Sequence, residues 1–194
     1  MIAADPGATL IVHVLHEEVF NRIRGHRSII RGEQQQTARV FISHTSNTEE
    51  AIGWVKQLAL FLIEQGIQAR LDKFHLRRGM DLSQWMVNEL ALANKVIVIC
   101  DQRYKRKADG RLGGVGWEMM IIQGDLANLP PDSTKYQVIV RSEAIDEGLP
   151  IYLKTRYAFH APPSDAPQSF REELLREILD LPLDERLESR EFVI

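Results

Sequence analysis

The chain of 194 residues lacks the features that mark several large classes of protein. It has one cysteine, Cys100, so no intramolecular disulfide or cysteine metal cluster can form, and a reducing, cytoplasmic setting fits best. No apolar run approaches the ~20 residues of a membrane span, so we expect neither a membrane segment nor a signal peptide. The net charge of −3 argues against a protein whose main partner is a nucleic-acid backbone.

Motifs for tightly bound groups are also missing. The six histidines show no ligand spacing with carboxylates, which predicts no metal site. The segment GRLGGVG does not directly follow a predicted strand and has no Walker lysine, so a Rossmann dehydrogenase is disfavoured. The basic segment RYKRKADGR (103–111) is explained by a solvated loop as well as by nucleic acid, because no matching basic face occurs elsewhere.

What the sequence does contain is an alternation of apolar runs and amphipathic segments. Helical spacing over 49–65 ends at Gly66, and KVIVIC is apolar almost throughout, as in a strand covered on both faces of a parallel sheet. Strands are predicted at RVFISH (39–44), IQARLD (67–72), KVIVIC (95–100) and YQVIV (136–140).

Two capping-box patterns predict the starts of further helices. Asp81 with Gln84 opens one helix after the polar connection 73–80, and Ser169 with Glu172 opens the last helix. The predicted apolar faces are Leu82, Trp85, Met86 and Leu90 for the first, and Phe170, Leu174, Ile178 and Leu179 for the second.

This order of elements predicts an α/β fold in which ligands bind at the carboxyl ends of the strands. The segment SHTSNTEE (43–50) lies at such an end, where hydroxyl groups and backbone amides meet the start of a helix. It is therefore a place to hold a polar ligand, or, more simply, Thr48 caps the helix there.

Three stretches together carry a family resemblance: RVFISHTSNTEEAIGWVKQLALFLIEQGIQARLDKFHLRRGMDLSQWM, then NELALANKVIVICDQRYKRK, then GGVGWEMMI. The series resembles the TIR superfamily, and most closely its SEFIR-like bacterial branch. The resemblance implies a flavodoxin-like three-layer α/β fold with a central parallel sheet of about five strands, in which KFHLRRGMD is the BB loop used for assembly. We predict an N-terminal extension (1–37), a TIR/SEFIR-like domain (38–182) and a C-terminal tail (183–194).

The resemblance leaves two functions open. Some TIR domains cleave the nicotinamide glycosidic bond of NAD, which is their substrate and not a cofactor, whereas others only scaffold signalling assemblies. In the enzymes a glutamate follows the third strand, and the matching residue here is Glu118. One carboxylate can suffice, because nicotinamide leaves without a general acid and the ribose develops oxocarbenium character. The alternative is that Glu118 sits at a helix start and only favours the helix dipole.

The resemblance also implies residues around the substrate. Ser43, His44 and Ser46 match the mouth that contacts ribose or phosphate, and Asp72, at the end of the second strand, more often holds the BB loop. Phe74 and Leu76 are expected to wall the pocket, and Arg77 and Arg78 to contact phosphate. Gly79 is expected to serve a turn, and Trp117 to stack on the base. The two arginines are explained equally well as solvated loop charges. Many TIR enzymes have a tryptophan four residues before the glutamate, where this chain has Gly114, so Trp117 is equally explained as a core residue.

Our interpretation is a bacterial immune-type effector that cleaves NAD to nicotinamide and ADP-ribose, or a cyclic variant, when it assembles with itself through TIR contacts. The trigger is oligomerisation, a nucleotide signal or an upstream sensor protein, and no membrane or direct nucleic-acid partner is expected. The alternative is a non-catalytic adaptor that uses the same BB loop. A receiver-like module is a weaker third possibility, since Asp72 and Asp101 only partly imitate its acidic cluster.

Overall fold

A central sheet of five parallel strands organises the chain in the computed structural model, which describes residues 37–45, 48–164 and 169–181. The strand order is β2-β1-β3-β4-β5. This is the predicted flavodoxin-like three-layer fold, and the prediction of about five parallel strands is confirmed. The strands are β1 (Arg39–Ser43), β2 (Gln68–Arg70), β3 (Lys95–Cys100), β4 (Tyr136–Val140) and β5 (Ala158–His160).

Helices connect the strands and cover both faces of the sheet. None of those in the described part of the chain is long and apolar enough to cross a membrane. They are α1 (Glu49–Glu64), α2 (Asp72–His75), α3 (Leu82–Leu92), α4 (Gln102–Asp109), α5 (Gly113–Asn128), α6 (Ile145–Gly148) and α7 (Ser169–Ile178), with a 3₁₀ turn at Ile151–Leu153.

The core is built on β3, every residue of which is buried. Val96, Val98 and Cys100 pack in a cluster with side chains of α3, α4 and α5. Successive side chains of a strand point to opposite faces, so Ile97 and Ile99 face the other layer of helices. An unbroken apolar run is therefore what this central position requires, as predicted.

Three predicted helix boundaries are confirmed by their hydrogen bonds or backbone angles. Thr48 Oγ1 accepts from the backbone N–H of Ala51 at 3.2 Å, and Asp81 Oδ1 accepts from that of Gln84 at 2.9 Å. Gly66 follows α1 with φ of 78°, the left-handed conformation that glycine adopts without a steric penalty.

The predicted strand 67–72 is too long, because its end and the following connection contain a short helix. The strand ends at Arg70, and α2 begins at Asp72. The ring of His75 contacts the backbone of Leu71 through Nδ1 at 2.9 Å, a local interaction that favours a helical turn over an extended chain.

The predicted solvated loop at 103–111 is also wrong for most of its length. Residues 102–109 form α4, whose inner side buries Tyr104 and Ala108, four residues apart. The Asp101 side chain caps this helix by accepting from the N–H of Tyr104 at 2.6 Å. Only two apolar residues mark the buried side, which is why the charges dominated the sequence pattern.

Two predicted core positions also differ. Leu82 is 46% exposed, because it is the first residue of α3 and lies at the edge of the packed layer. Leu179 follows the end of α7, while Leu175, which was not predicted, is buried on that helix. The predicted extension and tail lie outside the described residues except for Thr37, so the domain limits stay predictions.

Candidate functional site

A cavity of about 240 Å³ lies at the carboxyl end of β1, where α2, α3, α4 and α5 meet. Parallel α/β sheets place ligand sites at this edge, because the loops after the strands converge there. Its lining residues are Phe41, Ile42, Ser43, His44, Thr45, Asp72, Lys73, Leu82, Trp85, Met86, Lys107, Gly114, Val115 and Glu118.

Glu118 is the most deeply buried acidic group of this cavity, with 4% of its surface exposed. It is the sixth residue of α5, so it lies beyond the first turn and the predicted alternative of a helix-start carboxylate is wrong. Among the described residues, Glu118 Oε1 has no hydrogen-bond partner of regular geometry. A buried carboxylate oxygen without a partner is costly, and functional sites are where such groups occur.

The surroundings of Glu118 alter its protonation. Burial raises the pKa of Glu118 from its ordinary value of 4.5 to about 7, the nearby hydroxyl of Ser43 opposes that rise, and the negative charge of Asp72 adds to it. Ser43 is itself buried, and its Oγ has no hydrogen-bond partner of regular geometry in the described part of the chain. At neutral pH the carboxyl is therefore divided between its charged and neutral forms.

His44 and Asp72 form the second polar feature of the cavity. His44 Nε2 lies 2.9 Å from Asp72 Oδ1, which ties the end of β1 to the start of α2. Burial raises the pKa of Asp72, but the hydrogen bond with His44 and the charges of His44 and Lys73 outweigh it and keep that pKa below its usual value. Asp72 thus stays ionised at neutral pH and anchors the predicted BB loop.

Positive charge reaches the cavity from two lysines that sequence analysis did not select. Lys73 of α2 is exposed and lies 3.3 Å from Asp72 Oδ2, and Lys107 of α4 is half-buried. The predicted phosphate partners Arg77 and Arg78 are exposed and do not line the cavity. Lys107 lay in the segment interpreted as a solvated loop, and only the packing of α4 against β3 and α5 brings it here.

The structure brings Ser43, His44, Asp72 and Glu118 together, but not the other predicted site residues. Phe74 is 40% exposed, and Leu76 packs against the core beneath the loop. Gly79 has φ of 87°, as a tight turn needs. Ser46 lies outside the described residues, and Trp117 is 54% exposed, so it is not a core residue. Phe74, Leu76, Gly79 and Trp117 do not line this cavity, and the binding roles of all five residues stay predictions.

Apolar side chains that sequence analysis assigned only to packing, or did not single out, form another wall. Trp85 packs edge to face against Phe41 with ring centroids 5.8 Å apart, and both line the cavity with Met86 and Val115. Trp85 was predicted on the buried face of α3. The sequence did not show that this face lies at the end of β1, so it did not predict Trp85 in the cavity. Val115 precedes Glu118 by three residues, the spacing that places two residues on one side of a helix.

The arrangement fits an organic ligand better than a metal ion. Although Glu118, Asp72 and His44 line one cavity, the described residues contain no group of three such side chains arranged to hold a metal. The carboxylate of Glu118 is buried and the ammonium of Lys73 is exposed. Aromatic and aliphatic side chains line the same cavity. Such a cavity can receive a group that develops positive charge and carries anionic groups farther out.

Comparison with known proteins agrees with the sheet and its connections. The family model of the SEFIR domain matches residues 38–171. A crystal structure of a prokaryotic SEFIR domain superposes with a TM-score of 0.61 at 36% identity, covering 73% of this chain and 99% of that one. A metazoan TIR-STING receptor from C. gigas, solved with 2′,3′-cGAMP, shares the fold at 11% identity and a TM-score of 0.56, covering 75% of this chain and 40% of that one. A search of curated proteins gave no match.

Proposed function

The chain belongs to the SEFIR domain family, within the TIR-like superfamily, and from this premise we propose that it is a TIR-type NAD nucleosidase. The observation that carries the proposal is the burial of Glu118 in a cavity at the carboxyl end of β1, where one carboxylate oxygen has no hydrogen-bond partner of regular geometry in the described part of the chain. A glutamate used only for structure is expected to pair with a cation, as Glu89 pairs with Arg39 and Arg70 here.

The proposed reaction uses Glu118 in its ionised form. The bond between ribose C1′ and the nicotinamide nitrogen breaks, and nicotinamide leaves as a neutral base with the electron pair. The charge that develops on the ribose is stabilised by the carboxylate, whose effect is strengthened by the burial of Glu118. Water then adds to C1′ and releases a proton, giving nicotinamide, ADP-ribose and H⁺. Attack by a nucleophile within the substrate gives the cyclic variant instead.

The size of the cavity decides how much of NAD it can hold. Its volume of about 240 Å³ is below the range of roughly 300–1,000 Å³ for pockets that bury a drug-sized ligand. We therefore place only the nicotinamide ribosyl end inside, beside Trp85 and Met86, while the rest of the dinucleotide passes over the exposed mouth. Assembly of several copies is proposed to complete that mouth, with a nucleotide signal or a sensor protein as trigger and with defence as the biological role.

The test is NAD loss and nicotinamide release by concentrated, crowded protein. Glu118→Gln keeps the shape of the side chain but removes its charge, and Glu64→Gln makes the same change on the exposed side of α1. We expect Glu64→Gln to cleave NAD like the original protein and Glu118→Gln to be at least ~100-fold slower, the loss typical of a removed electrostatic stabiliser. Equal cleavage by both variants would move the chemistry away from Glu118.

A second candidate function, a scaffolding adaptor, is favoured by one observation. On the outer side of α5, Trp117 and Met120 are each more than half exposed, and Leu112 precedes them with similar exposure. Exposed apolar side chains in one place mark contacts between proteins. If concentrated protein assembles but no condition gives NAD loss, the adaptor becomes the better account of this chain.

A further inference from the structure

The mouth of the cavity carries positive charge that the proposed bond cleavage does not use. Lys73 and Lys107 come from different helices and line the same cavity as Glu118. Lys73 already faces the Asp72 carboxylate, at 3.3 Å. Lys107, although half-buried, has no hydrogen-bond or ion-pair partner for its ammonium within the described ranges. An ammonium that lines a cavity and has no anionic partner there is available to an anionic ligand.

The start of α5 adds a second source of positive potential beside Lys107. The first N–H groups of a helix have no intrahelical acceptor and lie at the positive end of its dipole. Leu112, which precedes α5, supplies no side-chain cap, and its N–H donates to the carbonyl of Lys107 at 2.8 Å. Gly114 lines the cavity, and a Cβ added there or at Gly113 would meet nothing within 4 Å, so a ligand can approach these amides closely.

The buried side of the same cavity carries charge of the opposite sign. Glu118 is the buried charged group of the cavity, whereas Lys73 is exposed and Lys107 is half-buried. A ligand whose reacting end becomes cationic and whose next group is anionic matches this order. A sugar linked to a diphosphate has this arrangement, whereas an unphosphorylated nucleoside lacks its anionic part.

We infer that Lys107, with Lys73 and the first amides of α5, binds the diphosphate of a dinucleotide whose ribose lies at Glu118. The inference rests on the proposed function and deepens it, because it restricts the substrates to phosphate-bearing nucleotides. It also replaces the exposed Arg77 and Arg78 as the phosphate partners. An ammonium on a flexible stem suits this task, since Lys107 approaches from α4 and Lys73 approaches from α2.

The experiment measures binding of ADP-ribose, which contains the diphosphate and needs no cleavage, by calorimetry. Lys107→Met keeps the apolar stem and removes only the charge. Arg106→Met is the matched control, because Arg106 is the preceding residue of α4, is exposed and does not line the cavity. Nicotinamide riboside, which has no diphosphate, is the matched ligand, and thermal unfolding verifies that both variants fold.

We expect Lys107→Met to weaken ADP-ribose binding about tenfold, the usual effect of one charge-assisted hydrogen bond, and to reduce its dependence on salt. Arg106→Met should bind ADP-ribose like the original protein, and nicotinamide riboside should not distinguish the two variants. Equal ADP-ribose affinity in all three proteins, equal losses in both variants, or no binding by the original protein would each overturn the inference. If binding depends on Lys107 but NAD is never cleaved, the diphosphate site stands and the nucleosidase fails.

Discussion

His44 Nε2 and Asp72 Oδ1 lie 2.9 Å apart. The contact joins the residue that follows β1 to the first residue of α2. These two residues are 28 positions apart in the chain, and both line the cavity that contains Glu118. The contact therefore fixes the start of the predicted BB loop against the site. It also keeps a negative charge near Glu118, because the pKa of Asp72 is held low.

Replacing Asp72 by Asn keeps the shape of the side chain and removes its negative charge. We expect a loss of about 1 kcal/mol in the free energy of unfolding at pH 7, because a charge-assisted hydrogen bond becomes a neutral one. Since the folded-state pKa of Asp72 is lowered, this difference should be present above pH 4 to 5 and vanish as the pH falls through the folded pKa. Urea unfolding at several pH values measures it, with the exposed Asp132→Asn as control. A difference that persists unchanged at low pH would contradict the ion-pair explanation.

Glu118→Gln should change stability in the opposite direction. Because the folded-state pKa of Glu118 is raised to about 7, ionisation destabilises the folded protein as the pH rises from about 4.5 to 7. A glutamine escapes that penalty, so relative to the original protein the variant should gain up to about 3 kcal/mol between pH 4.5 and pH 8. Urea unfolding at both pH values measures this gain. An equal difference between the proteins at both pH values would show that Glu118 titrates normally.

The activity of the original protein should follow the same ionisation. If the proposed reaction needs the carboxylate, cleavage of NAD per folded molecule should rise with pH through about 7 and level off above it. In Asp72→Asn the midpoint should move to lower pH, because the charge that raises the pKa of Glu118 is gone. An unchanged midpoint in that variant would mean that the observed titration belongs to another group.

The parts of this molecule that could be predicted from sequence are those set by local patterns. The apolar run of β3 and the capping side chains of Thr48 and Asp81 carry their own signal within a few residues. The identity of Glu118 as a candidate came from a family resemblance, whereas its burial beside Trp85 depends on how α3 and α5 pack. Lys107 could not be assigned, because its approach to the cavity depends on how α4 packs against β3 and α5 and not on neighbouring residues.

Two glycines at the start of α5 should respond differently to the same substitution. A Cβ at Gly116 would lie 2.4 Å from the carbonyl carbon of Arg111, whereas at Gly114 it would meet nothing within 4 Å. We expect Gly116→Ala to reduce the free energy of unfolding by about 2 to 3 kcal/mol, because the backbone at Arg111 must move. Gly114→Ala should change it by less than about 1 kcal/mol, since alanine favours the helix. Denaturant unfolding compares them, and similar values would mean that the 111–116 turn adapts easily.

The exposed side chain of Trp117 is expected to affect assembly and not stability. Because more than half of its surface is exposed, Trp117→Ala should leave the free energy of unfolding within about 0.5 kcal/mol of the original. If the outer side of α5 is a contact between copies, the same change should shift association to higher protein concentration, as measured by sedimentation velocity. Tyr157→Ala is the control, because Tyr157 is fully exposed and lies in a different part of the chain.

The same two variants also connect assembly to chemistry. If association drives the proposed reaction, Trp117→Ala should lose NAD cleavage in dilute solution and recover it when the protein is concentrated, because neither Glu118 nor the cavity lining is altered. Loss of activity that concentration does not restore would instead place Trp117 in substrate binding, as the family resemblance implied. Association and activity equal to those of Tyr157→Ala would remove the outer side of α5 from both functions.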